Sequence, residues 1–150
     1  MKNTARNAAL NFLARREYGV EELRSKLLNK NFSTADVEAA IDKLILENLL
    51  SEERFVESFI RAKSAKGFGP LAIKNELCIR KVHEELVDQT LEKMNLPWME
   101  IISKVFEKKF SAIDLEDSKE KARCWRFLAQ RGFSHDQINQ LVRTLSELAN

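Results

Sequence analysis

The sequence predicts an all-α protein made of three tandem three-helix repeats. Three observations predict it. Apolar residues recur at spacings of three and four along most of the 150-residue chain, the signature of helices with one buried face. Glycine and proline number only 4 and 2, whereas an all-β fold needs many turn residues. A block of sequence also recurs without a gap, from residues 18–44 to residues 68–94.

Taken in order, Leu10 and Leu13 place a helix over 5–17, and Leu23 and Leu27 one over 20–29, bounded by Gly19. Val37, Ala40, Ile41, Leu44 and Ile45 draw a stripe over 34–48, with Ser33 and Asp36 as its N-cap pattern. Ser51 opens a helix over 51–65, which carries Phe55, Phe59 and Ile60 after the acidic pair Glu52-Glu53. Pro70 suits the first turn of a helix over 70–80, where its missing amide proton costs nothing, and Ile73 and Leu77 form its face. Leu86, Val87, Leu91 and Met94 give 84–95, with Glu84-Glu85 in its first turn. Pro97 starts 97–110, with Ile102, Val105 and Phe106. Residues 111–117 read as a loop before helices over 116–131 and 134–148, the latter opened by Ser134 and Gln137. No stretch alternates with period two, so no strand is expected.

In the repeat, Tyr18 meets Phe68, Gly19 meets Gly69, Leu23 meets Ile73 and Leu27 meets Leu77. Phe32, Val37, Ile41 and Leu44 meet Val82, Val87, Leu91 and Met94. A third copy follows another 51 residues on, with Leu128, Phe133, Ser134, Ile138, Val142 and Leu145 in register. Each copy is preceded by one more amphipathic helix, so the boundaries fall at 1–50, 51–96 and 97–150. A three-helix unit this small buries its apolar face poorly alone, so neighbouring units are expected to share core.

Catalytic and metal-binding chemistry find no support. Cys78 and Cys124 are too few for a disulfide framework and lack the short paired spacing with His83 and His135 that zinc needs. Gly67-Phe68-Gly69 lacks the further glycine and the lysine of a phosphate loop. No Ser–His–carboxylate set stands out. No cofactor and no small-molecule substrate are expected. No apolar run approaches the ~18 residues of a membrane span, so the reading is a soluble, cytoplasmic protein with no membrane partner.

Charge carries more. The 25 Lys+Arg nearly cancel the 23 Asp+Glu, for a net charge of +2. The charges are nevertheless segregated. Residues 1–16 hold Lys2, Arg6, Arg15 and Arg16 and no acid. Residues 54–81 hold Arg54, Arg61, Lys63, Lys66, Lys74, Arg80 and Lys81 against Glu57 and Glu76. Residues 111–120 hold four acids against Lys119. Because charge is screened within about 8 Å at physiological salt, a local basic stripe attracts phosphate or acidic protein whatever the total. Arg15, Arg16, Arg54, Arg61, Lys63, Lys66, Lys74, Arg80 and Lys81 are therefore the candidate partner- or DNA-binding surface. The competing explanation is structural: bases near a helix C-terminus also satisfy carbonyls and the helix dipole. Phe68, Trp98 and Trp125 are expected to pack rather than to stack on ligands.

The stretch 51–77, SEERFVESFIRAKSAKGFGPLAIKNEL, is the most distinctive. Its acidic start before Arg54-Phe55, its aromatic helix, the turn Lys66-Gly67-Phe68-Gly69-Pro70 and the run Lys74 to Glu76-Leu77 resemble the central signature of the RecX family, regulators of the RecA recombinase. Leu13-Ala14-Arg15-Arg16 and Glu22 to Leu27 in the first unit, and Arg126-Phe127-Leu128 with Arg131-Gly132-Phe133 in the third, extend the resemblance over residues 7–148. After Gly19 no proline follows, a departure from the central pattern. The resemblance implies three tandem three-helix repeats forming an elongated, curved helical array that binds in the groove of the RecA–single-stranded-DNA filament. It implies inhibition of ATP hydrolysis, co-protease activity and strand exchange in DNA repair and the SOS response. It implies a regulator, not an enzyme. The RecA filament is the expected partner, with single-stranded or duplex DNA as a further contact, and the protein is expected to be a monomer. The alternative is a helical DNA-binding protein using basic three-helix modules.

Overall fold

A computed structural model of the chain describes residues 3–149, which form nine α-helices and no strand. They are α1 (Ala5–Leu13), α2 (Val20–Asn29), α3 (Thr34–Leu46), α4 (Glu52–Ala65), α5 (Pro70–Ile79), α6 (Glu84–Met94), α7 (Trp98–Phe110), α8 (Ser118–Gln130) and α9 (His135–Ala149). Lys2, counted with the basic amino-terminal segment, lies outside the described residues. The helix limits fall within two residues of the expected spans. The exception is α1, which stops at Leu13, so that Arg15 and Arg16 lie in the turn after it. Pro97 sits at the N-cap of α7 instead of within its first turn.

Contacts gather the chain into two compact units: Met1–Ser58 with Leu77–Thr90, and Phe59–Glu76 with Leu91–Asn150. The second repeat is thus shared between them. In the first unit α1, α2 and α3 pack on one another. Their core is Ala8, Ala9, Tyr18, Leu23, Leu27, Val37, Ile41, Leu44 and Leu50, the residues that the three-and-four spacing selects. Each buried Leu, Ile or Val contributes about 1.5–3 kcal/mol. In the second unit α7, α8 and α9 pack likewise around Ile102, Phe106, Phe110, Cys124, Leu128, Phe133, Ile138 and Leu141. Trp98 and Trp125 pack against this core, and Trp125 lies 5.3 Å from the His135 ring, so both behave as packing residues.

The helix starts follow the sequence rules. The Ser33 hydroxyl accepts from the Asp36 amide at 3.1 Å and Ser51 from Arg54 at 3.2 Å. Ser134 and Gln137 form a reciprocal capping box at 2.8 and 3.1 Å. Gly19 has no side chain with which to cap α2, and the acceptor comes from the next repeat: the Val20 amide donates to Glu52 Oε1 at 2.8 Å. A Cβ on Gly19 would meet the Phe55 ring at 3.1 Å, so glycine permits this approach.

Helix ends repeat one device. Asn31, Lys81 and Gly132 occupy the same repeat position, and all have positive φ: 68°, 65° and 96°. In this left-handed conformation the backbone turns and the following amide reaches back. Val82 N–H donates to Leu77 O at 3.1 Å, and Phe133 N–H to Leu128 O at 3.2 Å. Lys81 adopts this conformation without the excuse of glycine or asparagine, at a cost of about 1–2 kcal/mol.

The turn Gly67–Pro70 does not cradle a ligand; it splices two repeats. The Gly69 amide donates to Arg131 O at 2.7 Å and the Leu71 amide to Gly132 O at 2.9 Å. A Cβ on Gly69 would lie 2.5 Å from the Gly132 carbonyl, and one on Gly132 would lie 2.3 Å from the Ala72 Cβ. Two backbones meet here with no room for side chains. The Phe68 amide is also spent, on Lys63 O at 3.1 Å.

Candidate functional site

The nine basic residues expected to form a surface separate into two groups. Arg16, Arg54, Lys63 and Arg80 are engaged inside the fold. Both terminal nitrogens of Arg16 donate to the Glu22 carboxylate at 3.1 Å, and its guanidinium lies 3.7 Å from the centre of the Tyr18 ring. Arg80, from the second repeat, donates to the same carboxylate at 2.7 Å. Glu22 therefore ties the turn after α1 to the end of α5, and its carboxylate holds the Arg16 guanidinium above its ordinary pKa. Arg54 donates to Glu17 at 3.2 Å, to Asn48 Oδ1 at 3.0 Å and to Asn48 O at 2.9 Å, fixing the link between α3 and α4. Lys63 pairs with Glu76 at 3.3 Å and lies over the Phe59 and Phe68 rings at 5.6 and 5.3 Å. Lys74 is half-buried and also engaged. These five are thus engaged within the fold, and Arg16, Arg54, Lys63 and Arg80 pair with carboxylates, not simply with the carbonyls of a helix end.

Arg15, Arg61, Lys66 and Lys81 are different. All four are exposed and have no ion pair among the described residues. In the first unit Arg15 lines a cavity of about 560 Å³ with Asn11, Phe12, Lys30 and Phe32. In the second unit Lys66 lines a cleft of about 500 Å³ with Val105, Lys108, Lys109, Phe127 and Arg131. An adjoining hollow of about 310 Å³ shares Lys109 and Phe127 and adds Arg123, Arg126 and Gln130.

This cleft concentrates positive charge in the second unit, and the sequence windows missed most of it. Lys108-Lys109 at the end of α7, and Arg123, Arg126 and Arg131 along α8, stand beside the acidic loop, so a running charge sum dilutes them. One signal was available. Arg123, Phe127 and Arg131 stand at i, i+4 and i+8, which puts a cation, a ring and a cation on one helix face. Lys109 Nζ lies 4.6 Å from the centre of the Phe127 ring, and the Arg131 guanidinium lies 5.2 Å from Phe127 and 5.0 Å from Phe68. Phe68 is half-buried beneath these charges, packed as expected.

No group of three or more His, Cys, Asp or Glu side chains able to hold a metal occurs among the described residues. Among them too, no helix is long and apolar enough to cross a membrane. Cys124 is buried and its thiol pKa is pushed up by burial, while Cys78 is exposed.

Three tandem three-helix units, with four exposed cations that have no ion pair among the described residues, define a helical-repeat protein. Residues 5–44, 51–91 and 99–142 match, in turn, the first, second and third three-helix domains of RecX. The chain belongs to the RecX family. It is 41% identical over 137 residues to the regulatory protein RecX of Pseudomonas putida, covering 91% of this chain and 88% of that one. It is 37% identical over 139 residues to the regulatory protein RecX of Actinobacillus pleuropneumoniae, covering 93% and 91%. The crystal structure of RecX from Lactobacillus salivarius superposes with a TM-score of 0.80 at 22% identity, over 95% of this chain and 94% of that one. A second crystal structure, of a regulatory protein RecX, gives 0.77 at 18% identity, over 91% and 70%. At these identities the solved structures establish the fold, while the closer relatives establish the family, which is one of regulatory proteins and not of enzymes.

Proposed function

We propose that this protein regulates the RecA recombinase in DNA repair and the SOS response by occupying the groove of the RecA–single-stranded-DNA filament. There it suppresses ATP hydrolysis, co-protease activity and strand exchange. One observation carries this reading: all three RecX domains are present, in order, over residues 5–142. A tandem array presents its contacts at several points at once, and such multivalency multiplies weak local affinities. Arg15, Arg61 and Lys81 supply cations not consumed by the fold, suited to acidic RecA surface or DNA phosphate. The protein acts as a monomer in the cytoplasm, without cofactor.

The test is RecA's single-strand-dependent ATPase, titrated with this protein at micromolar concentrations. Inhibition is expected, and a variant with Arg15, Arg61 and Lys81 reversed to Glu is expected to inhibit several-fold less while keeping its helical circular dichroism. Absence of inhibition by the wild type would overturn the proposal. The rival reading, a duplex-binding protein built of three-helix modules, predicts tight duplex binding without RecA and a steep salt dependence. Filament inhibition with negligible duplex binding would exclude it.

A further inference from the structure

We infer that the cleft of the second unit is a single-stranded nucleic-acid site that works without RecA. Lys66, Lys108, Lys109, Arg123, Arg126 and Arg131 line its two adjoining hollows, and no carboxylate lines either. The nearby acids Asp114, Asp117 and Glu120 flank one end only, in a neighbouring depression that shares Lys109 and Arg123. There Asp117 caps α8, and Glu120 pairs with Arg123 at 3.1 Å. The ligand is therefore a polyanion long enough to pass from Lys66 to Arg126.

Three features select a nucleic acid with unpaired bases over an acidic peptide or a duplex. First, an aromatic ring sits in the path. Phe127 is half-buried, shared by both hollows, and covered by Lys109 and Arg131 side chains that can turn toward phosphate. Rings and guanidinium planes stack on bases without regard to sequence. Second, the large exposed aliphatic side chains, Leu28, Ile45, Leu46, Leu49, Leu71, Ile79 and Leu148, all lie outside the cleft, so it offers charge and aromatic surface but no such anchor for a peptide. Third, proteins that read a duplex insert a protruding helix into its groove, whereas these cations line hollows. Along α8, successive members of the Arg123–Phe127–Arg131 row rise by about 6 Å, so cation, ring and cation alternate along an extended strand.

The cleft is also pre-set. The Gly69–Gly132 splice fixes the turn that follows Lys66, and Arg131 donates to Lys66 O at 3.3 Å. The second repeat's signature turn thereby delivers Lys66 to a site otherwise built by the third repeat.

The experiment is fluorescence anisotropy of labelled oligo(dT) with the full chain, without RecA, across a salt series. Wild type is expected to bind, with affinity falling steeply as salt rises. The variant K109E/R126E is expected to bind more than tenfold more weakly and to lose about 0.7 of salt slope for each phosphate contact removed. F127L is expected to bind more weakly with the salt slope unchanged, which separates stacking from charge. K26E/K43E, at exposed positions of the first unit, is expected to bind as wild type does. The inference is overturned if wild type does not bind, if K109E/R126E binds equally well while circular dichroism shows it folded, if a duplex binds as tightly, or if polyglutamate competes as well as unlabelled oligo(dT). The RecA ATPase titration scores the regulatory reading independently, so failure of either is recognisable.

Discussion

Replacing Gly69 with alanine puts a methyl group where two backbones touch. The new Cβ would lie 2.5 Å from both the carbonyl carbon and oxygen of Gly132 and 2.7 Å from the Phe133 amide nitrogen. Carbon contacts are favourable near 3.5–4.0 Å, so the strands of backbone must part by about 1 Å. That separation stretches the 2.7 Å bond from Gly69 to Arg131 O and the 2.9 Å bond from Leu71 to Gly132 O beyond hydrogen-bond range. Each bond is worth about 1 kcal/mol net, and overpacking adds about 1–3 kcal/mol. Against this, alanine stabilises through the unfolded chain by about 0.4–1 kcal/mol. The expected net loss is about 3 kcal/mol. Urea unfolding followed by tryptophan fluorescence reads it directly, because Trp98 and Trp125 both pack against the third-repeat core. Gly132→Ala should cost more, since it adds a left-handed strain at φ 96° to a 2.3 Å overlap with Ala72. A loss below 1 kcal/mol for Gly69→Ala would refute the claim that the signature turn is a splice.

Other outcomes follow from single residues. Lys81→Gly removes the left-handed strain and should stabilise by about 1 kcal/mol, a rise of roughly 2–4 °C in Tm by calorimetry. Burial raises the Glu52 carboxyl above its ordinary pKa, against the opposing Val20 N–H bond. The folded state therefore holds this proton more tightly than the unfolded one, and stability is lost as pH rises through the window from the unfolded to the folded value. Glu52→Gln keeps an acceptor for Val20 but cannot titrate, so its stability relative to wild type should increase from acid to neutral pH and then level off in urea titrations. Thiol titration with a chromogenic disulfide should find one fast thiol, Cys78, in the native protein and a second, Cys124, only in denaturant.

The fold was legible because its signals are local or periodic. Ser33, Ser51 and Ser134 cap helices three residues on, and the stripe Val37–Ile41–Leu44 turns inward with the helix. The repeat made this triple. The basic surface was only half legible, because a cation's role depends on partners far along the chain. Arg54 reaches Glu17 across 37 residues and Arg80 reaches Glu22 across 58, distances that no helical period encodes. Conversely Lys66, Lys108, Lys109 and Arg131 converge only once the third repeat has folded against the turn Gly67–Pro70. Gly69 was visible as a matching position of Gly19, yet the two do different work. Gly19 admits a ring and a carboxylate, whereas Gly69 admits another backbone.

The acceptor that Glu52 lends to Val20 bears on how the chain is made. Synthesis proceeds from the amino terminus, and domains ordinarily fold as units in that order. Here α2 lacks its cap until the start of α4 has left the ribosome. The turn at Gly69 lacks its partners until Arg131 and Gly132 emerge, 62 and 63 residues after it. A chain stalled or released before Gly132 would therefore display an unspliced second repeat to the cell's proteases.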